Sequence, residues 1–269
     1  MDFLSVLQFA FVQRAFLGGC VIAVLCAVLG LFLVLRKMSL IGDGLSHVSF
    51  GAVALGLLAN MSPLYVALPL VVLASFVILK LTEKGRLYGD AAIGIVSALG
   101  IAGGVILASV SRGFNVDLFS YLFGNILSIG NEELALAVAL SAVVLVVVAV
   151  FYNDLLAVTF DEEYARVSGI KTTRVNMLLM ALTAVTVVLA IRVVGIMLIS
   201  ALLILPAATA LQLARGFKGA LLISALTAVT AVVAGICVSI ALDLPAGGAI
   251  VAVNLVFFLA ALGFKKAAV

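Results

Sequence analysis

An aspartate and the only histidine of the chain lie four residues apart within an apolar stretch. On a helix, Asp43 and His47 would share one face and lie one turn apart. A helix that begins at Met38 would place His47 about 13 Å along its axis, close to the middle of a hydrocarbon core about 30 Å thick. Ionisable side chains at that depth are costly and usually face a polar pathway. Carboxylate oxygen and imidazole nitrogen are ligands that zinc or manganese accepts.

Other roles for this pair stay open at the level of the sequence. Asp43 and His47 would also suit a proton pathway, or a buried hydrogen bond that braces a helix bundle. Asp43 would alternatively pair with Arg36 or Lys37 near the membrane surface. Two ligands are too few for zinc, which normally takes four. The others would come from Ser46, from another helix, from water or from nothing permanent.

The composition places these residues in a membrane protein. Of 269 residues, 66% are hydrophobic and 10% are charged, whereas a soluble domain carries about 25% charged residues. So few charges cannot cover a water-facing surface. The sequence contains no GxxxxGK[ST] phosphate loop, no HExxH motif and no long basic run of the kind that binds nucleic acid.

Nine apolar segments are long enough to cross a membrane as helices, at roughly 20 residues each. The weakest division lies at Arg192, because residues 175–213 form one apolar run with a single charge; eight crossings are the alternative. We predict an all-α, polytopic membrane protein that forms a single transmembrane domain over residues 1–269. The predicted spans are Phe16–Leu35, Met38–Leu58, Leu64–Leu81, Ala91–Val110, Leu134–Phe151, Val175–Ile191, Val193–Leu213, Ala220–Leu242 and Gly247–Phe264.

The basic residues predict the orientation of these spans. If the chain starts outside and crosses nine times, twelve of its fifteen lysines and arginines fall in inner loops. Positive charge concentrates on the cytoplasmic side of membrane proteins, so we expect the N-terminus outside and the C-terminus in the cytoplasm. The inner residues are Arg36, Lys37, Lys80, Lys84, Arg86, Arg166, Lys171, Arg174, Arg215, Lys218, Lys265 and Lys266, and the outer ones are Arg14, Arg112 and Arg192.

The longest predicted inner connection, residues 152–174, contains the signals of a short helix. Asp161 is suited to cap its N-terminus, with Glu162 and Glu163 in the first turn, and Gly169 is suited to end it. A short amphipathic helix between two spans is a docking element by shape. A solvated connector would have the same composition.

Two other segments depart from plain spanning helices. Pro206 lies within the seventh predicted span and frees the carbonyl of Leu202, which in a membrane must be satisfied by neighbours or lie beside a cavity. It marks either a kink near the pathway or a kink that serves packing. Asn115–Asn125 is apolar but too short to span, and we expect it at the outer interface or dipping in beside a pore.

Five segments resemble the permeases of the zinc, manganese and iron importers of the ATP-binding-cassette (ABC) class. They occur in the family's order and cover nearly the whole chain, which makes the set far more specific than any one of them. The resemblance implies a fold like that of the larger vitamin B12 and iron–siderophore permeases, with fewer helices. The segments are Arg36 through Asp43 to His47, Tyr121–Gly124, Ala165–Ile170, Val194–Thr209 and Asp243–Gly247.

This resemblance also implies partners and residue roles. Two copies of the permease would form a pore with two copies of a separate cytoplasmic ATPase, and an extracytoplasmic binding protein would deliver the metal, in a bacterial-type inner membrane. Asp43 and His47 match residues that line the ion path in the family. A coupling segment, about residues 155–173, matches the one that docks in a cleft of the ATPase. Pro206 and Thr209 match a family motif to which we assign no role. The matching coupling residues are Asp161, Glu162, Glu163, Ala165, Gly169 and Ile170.

The transported metal is the least specific part of this prediction. The stretch Val116–Gly124 is closer to the zinc branch, so we expect zinc, with manganese or iron as the alternative. No catalytic residue and no permanently bound cofactor is expected. Two other functions compete: a proton-coupled secondary transporter would explain Asp43 and His47 equally well, and an intramembrane enzyme would lack a second catalytic acid at a plausible position.

Overall fold

The computed structural model describes residues 9–83, 85, 87–110, 130–196 and 199–267. Within them the chain forms eleven helices and no strand, which confirms the all-α prediction. The predicted outer segment Asn115–Asn125 lies outside the described residues. The helices are α1 (Ala10–Leu35), α2 (Ile41–Leu58), α3 (Pro63–Glu83), α4 (Gly89–Val110), α5 (Asn131–Val150), α6 (Tyr152–Phe160), α7 (Glu162–Val167), α8 (Thr172–Val194), α9 (Ile199–Leu213), α10 (Phe217–Leu242) and α11 (Ala246–Ala267).

Eight of these helices, α1 to α5, α8, α10 and α11, are long and apolar enough to cross a membrane. The apolar helix α9 has 15 residues and covers about 22 Å, less than a hydrocarbon core of about 30 Å. Helix α8 ends at Val194 because Gly195 adopts a φ of +87°, a conformation that favours glycine. The two helices are therefore separate, as predicted, but the later one begins at Ile199 and not at Val193.

Contacts between helix ends show which of these ends lie on the same side of the bundle. Asn176, near the start of α8, donates to Glu83 at the end of α3 and to Glu162 at the start of α7. Phe217, at the start of α10, packs against Phe32 near the end of α1. These ends therefore lie on one side of the bundle. Since α8 and α10 both start on this side, α9 lies between two helices that leave the same side of the bundle. This side, called the basic end below, carries Arg36, Lys37, Arg166, Lys171, Arg174, Arg215 and Lys218.

The first helix lies at the centre of the bundle. Helix α1 is strongly apolar and most of its C-terminal half is buried, a pattern typical of a helix enclosed by others. At Gly30 an added Cβ would collide with the backbone of Leu203 in α9, so the two helices are in backbone contact. Helices α4, α5 and α10 instead expose large apolar side chains, such as Leu99, Val146 and Leu222. These are the faces that lipid or another membrane chain would cover.

Candidate functional site

Asp43 and His47 lie on one face of α2, as their four-residue spacing predicts. The carboxylate Oδ2 and the imidazole Nε2 are 3.5 Å apart, which is longer than a good hydrogen bond. The side chain of His47 is 25% exposed and that of Asp43 is 48% exposed. Both side chains are therefore partly accessible from outside this single chain, and carboxylate oxygen and neutral imidazole nitrogen carry lone pairs that can bind a cation.

One chain supplies these two ligands and few others nearby. In the described part of the chain, no group of three or more His, Cys, Asp or Glu side chains is close enough to hold a metal ion. Ser46 is buried, and its Oγ donates to the carbonyl oxygen of Asp43 at 2.7 Å. Ser46 thus packs within the bundle while Asp43 and His47 are open. Completing a four-ligand site would require groups beyond these two side chains.

The packing of α2 places His47 deep in the bundle. Helix α2 begins at Ile41, three residues later than predicted. An added Cβ on Gly42 or on Gly30 would collide with the same residue, Leu203, so Gly42 lies at about the level of Gly30. Gly30 lies about 9 Å inside the basic end, at roughly 1.5 Å per residue. His47 is five residues further along α2, which puts it about 16 Å from the basic end.

Helix α4 lies directly behind His47. An added Cβ on Gly100 would come within 2.8 Å of the carbonyl oxygen of His47 and 2.7 Å of the backbone nitrogen of Val48. At Gly51 of α2, an added Cβ would lie 2.6 Å from the carbonyl oxygen of Gly100. Small residues permit such close approach between membrane helices. The backbone position of His47 therefore depends on the glycine contacts between α2 and α4.

Pro206 and Thr209 lie in α9, on the basic-end side of the open pair. Both are buried, and their neighbours in α9 pack against Leu31 of α1. The Oγ1 of Thr209 donates to the carbonyl oxygen of Leu205 at 2.7 Å, a backbone contact that often bends helices. The structure thus brings Asp43 and His47 together and places Pro206 and Thr209 in helix packing.

The predicted coupling segment forms two short helices, α6 and α7, at the basic end. Asp161 caps α7: its Oδ1 accepts a hydrogen bond from the backbone N–H of Tyr164 at 2.9 Å. Gly169 follows the helix with a φ of +89°. These local features agree with the sequence prediction, because capping and left-handed glycine are encoded within a few residues.

Helix α7 has a buried side and an outward side. Ala165 is fully buried and Ile170, just after the helix, packs on the core. Glu163 is exposed, and the side chains of Tyr164 and Val167 are 70% and 88% exposed. Large apolar side chains held outward on a capped helix are suited to contact another protein.

A cluster of polar side chains joins α7 to the ends of three membrane helices. The Oε2 of Glu162 accepts a hydrogen bond from Arg36 Nη2 at 3.3 Å, and its Oε1 accepts one from Asn176 Nδ2 at 3.1 Å. Asn176 Nδ2 also donates to Glu83 Oε1 at 3.3 Å, and Arg166 Nη2 lies 3.6 Å from Glu162 Oε1. Glu162 thus contacts Asn176 of α8 and Arg36, the residue that follows α1. Asn176 in turn links Glu162 to Glu83 at the end of α3.

The sequence offered Asp43 as a partner for Arg36, and the structure pairs Arg36 with Glu162 instead. Sequence reasoning also did not single out Glu83 or Asn176. Burial lowers the pKa of Arg36, and the negative charges of Glu162 and Glu83 act in the opposite direction. Arginine nevertheless stays protonated in proteins, so this cluster holds a fixed positive charge beside two acids.

Comparison with known proteins gives one consistent result. The model of the ABC 3 transport family matches residues 8–265. The manganese transport system membrane protein MntC of Halalkalibacterium halodurans is 33% identical over 97% of this chain and 89% of the relative. A protein of Haemophilus influenzae named as a probable iron transport system membrane protein is 31% identical over 98% of this chain and 97% of the relative.

Solved structures agree with the helical architecture. PsaBC from Streptococcus pneumoniae in complex with Fab matches with a TM-score of 0.87 and 33% identity, over 97% of this chain and 94% of that chain. An inward-facing metal-chelate type ABC transporter matches with a TM-score of 0.71 over 93% of this chain and 84% of that chain. At 16% identity, the second likeness concerns the fold alone.

Proposed function

The chain belongs to the ABC 3 transport family as a permease subunit of a metal importer, and we propose that its metal ion crosses the membrane past Asp43 and His47. The observation that carries this proposal is a partly exposed acid–imidazole pair on one face of a helix that is long and apolar enough to cross a membrane, about 16 Å from the basic end. Ionisable side chains are rarely left at that depth without a polar partner or a pathway.

The chain itself is a transport subunit and not an enzyme. Its relatives are membrane permeases of ABC importers, and ATP is hydrolysed by a separate partner chain. The energy for transport therefore has to reach Asp43 and His47 through protein contacts. This requirement makes the cytoplasmic segments of the permease part of its mechanism.

A symmetric pair of permeases would complete the metal site. In one chain the Asp43 side chain is half exposed, and leaving it against lipid would cost at least a few kcal/mol. A twofold axis beside α2 would cover the pair with a second copy and bring two carboxylates and two imidazoles together. Four oxygen and nitrogen ligands would complete a tetrahedral zinc shell, and they would form part of the octahedral shell that Mn²⁺ prefers. A site at a subunit boundary also loosens when the subunits move apart.

The basic end is proposed to face the cytoplasm. It carries the lysines and arginines around the coupling segment, which the positive-inside rule places on that side. The N-terminus would then lie outside and the C-terminus inside. The segment of about residues 155–173 would dock on the ATPase through the outward side of α7, where Tyr164 and Val167 are exposed. An extracytoplasmic binding protein would deliver the metal at the opposite end.

The identity of the metal is proposed from ligand type and relatives together. The sequence-based expectation of zinc rests on the stretch Val116–Gly124, which lies outside the described residues. Of the two relatives given above, the protein of Halalkalibacterium halodurans is named for manganese transport and that of Haemophilus influenzae for iron transport. Carboxylate and imidazole ligands accept each of these ions. We propose a divalent first-row metal, with manganese tested first and zinc as its direct competitor.

We expect ATP-dependent uptake of this metal when the permease is reconstituted with its ATPase in lipid vesicles. Uptake of Mn²⁺ is measured alone and in competition with Zn²⁺ and Fe²⁺, with ATP present or absent. An uncoupler serves as the control, because an ATP-driven importer needs no proton gradient. Uptake that persists without ATP and collapses with the uncoupler would identify a secondary transporter and contradict the proposal.

A further inference from the structure

Glu162 provides the polar side-chain contacts between the coupling segment and the membrane helices, beside the apolar contacts of Ala165 and Ile170. It is the first residue of α7, directly after the cap Asp161. Both of its carboxylate oxygens are engaged, Oε2 by Arg36 at 3.3 Å and Oε1 by Asn176 at 3.1 Å. Any displacement of α7 therefore pulls on the C-terminal end of α1 and on α8 at the same time.

These contacts lie in a mostly buried setting. The Arg36 side chain is 13% exposed and Asn176 is 3% exposed, while Glu162 is 36% exposed. Ion pairs open to water contribute little, because solvent and salt screen them. A pair with one partner so strongly enclosed is screened less, and a charge left without its partner there is costly. The pair of Arg36 and Glu162 is therefore suited to carry a force between segments.

The connection from Arg36 to the open pair is short and hydrogen-bonded. Arg36 begins the turn between α1 and α2, and Asp43 lies seven residues later. Within the turn, the N–H of Met38 donates to the carbonyl oxygen of Leu33 at 2.9 Å, and the N–H of Ile41 donates to that of Met38 at 3.1 Å. A turn closed by these hydrogen bonds deforms little, so a displacement of Arg36 also displaces the start of α2.

Resting on the proposed function, we propose that the Arg36–Glu162 pair transmits movement of the coupling segment to Asp43 and His47. Asn176 and Glu83 hold the pair against α8 and α3, which serve as its support. Binding of the ATPase moves α7, α7 moves Arg36, and the turn after Arg36 moves α2. In this arrangement the pair determines how much metal is moved for each ATP. It touches neither the metal nor the nucleotide, and is a positioning element.

The ratio of metal delivered to ATP hydrolysed tests this role. The permease–ATPase complex is reconstituted in vesicles with Glu162→Gln or Arg36→Gln, and uptake and ATP hydrolysis are measured together. Each neutral variant is expected to form the complex and hydrolyse ATP, with metal delivered per ATP lowered about tenfold, a typical coupling effect. Arg36→Lys keeps the charge and is expected to recover most of the ratio.

Matched controls come from the same end of the molecule. Asp154→Asn removes an acid from α6 and Arg174→Gln removes an exposed arginine from the first turn of α8. Both are expected to keep the ratio within about twofold of the wild type, since charges outside the cluster contribute little. An unchanged ratio in Glu162→Gln and Arg36→Gln would overturn the inference.

Three outcomes separate a failure of this inference from a failure of the proposed function. Loss of the assembled complex in both neutral variants would overturn the inference, because the cluster would then only hold the permease together. Absence of ATP-dependent metal uptake by the wild type would overturn the proposed function, and this inference with it. If the wild type takes up metal and the variants deliver as much metal per ATP as the wild type, only the transmission by the Arg36–Glu162 pair is contradicted.

Discussion

Replacing His47 with alanine is expected to abolish ATP-dependent metal uptake while leaving the permease assembled with its ATPase. The imidazole is 25% exposed, so its removal costs some packing, and the yield of assembled complex separates that loss from the loss of a ligand. The substitution removes a nitrogen ligand from each copy in the proposed dimer. Losing a residue that merely supports a metal ligand already costs about 10- to 100-fold in affinity or activity, so losing the ligand should cost at least about 100-fold.

The measurement is uptake of Mn²⁺ and Zn²⁺ by reconstituted vesicles, with the yield of the complex recorded for each variant. Asp43→Asn is expected to behave like His47→Ala, because it removes the negative charge that favours a cation. Ser49→Ala is the control on the same helix: its Oγ is buried and has no hydrogen-bond partner among the described residues. Uptake by His47→Ala close to that of Ser49→Ala would rule out a ligand role.

Substituting Gly100 by alanine is expected to lower uptake strongly while leaving the side chains of Asp43 and His47 in place. The new Cβ would lie 2.8 Å from the carbonyl oxygen of His47, so α4 and α2 must separate. Overpacking of this kind costs about 1–3 kcal/mol of stability. The distance from a ligand atom to its metal ion must lie within ~0.2 Å of the ideal value. A shift of α2 would therefore move His47 too far from the metal to bind it well. We expect uptake to fall about tenfold, a loss of about 1.4 kcal/mol.

Gly103→Ala is the matched control for this prediction. It lies three residues further along the same helix, and an added Cβ there meets nothing within 4 Å. The thermal stability and the uptake of the two variants are compared in the same membrane preparation. Normal uptake by Gly100→Ala would show that the α2–α4 contact does not set the position of His47.

Features that depend on a few neighbouring residues were predictable from the sequence. Asp161 and Gly169 encode the start and end of α7 through a side-chain cap and a left-handed glycine. The spacing of Asp43 and His47 placed them on one face of α2. The division of the apolar run near Arg192 was also correct, although the next helix begins later because Gly195 ends α8 with a positive φ.

Contacts between distant segments were not predictable in this way. Arg36 and Glu162 are 126 residues apart in the chain, and the local sequence made Asp43 an equally reasonable partner for Arg36. Glycines in a membrane helix permit close packing, but the sequence of α4 alone does not name the helix that it contacts. The contact of Gly100 with the backbone of His47 appears only when α2 and α4 are packed together.

The amount and environment of metal bound to the purified permease test the central claim most directly. Equilibrium binding gives the number of ions, and X-ray absorption gives their ligand atoms. The account predicts one divalent ion for each pair of chains, held by nitrogen and oxygen ligands and lost when Asp43→Asn is combined with His47→Ala. The same binding, with the same ligands, in that double variant would contradict it.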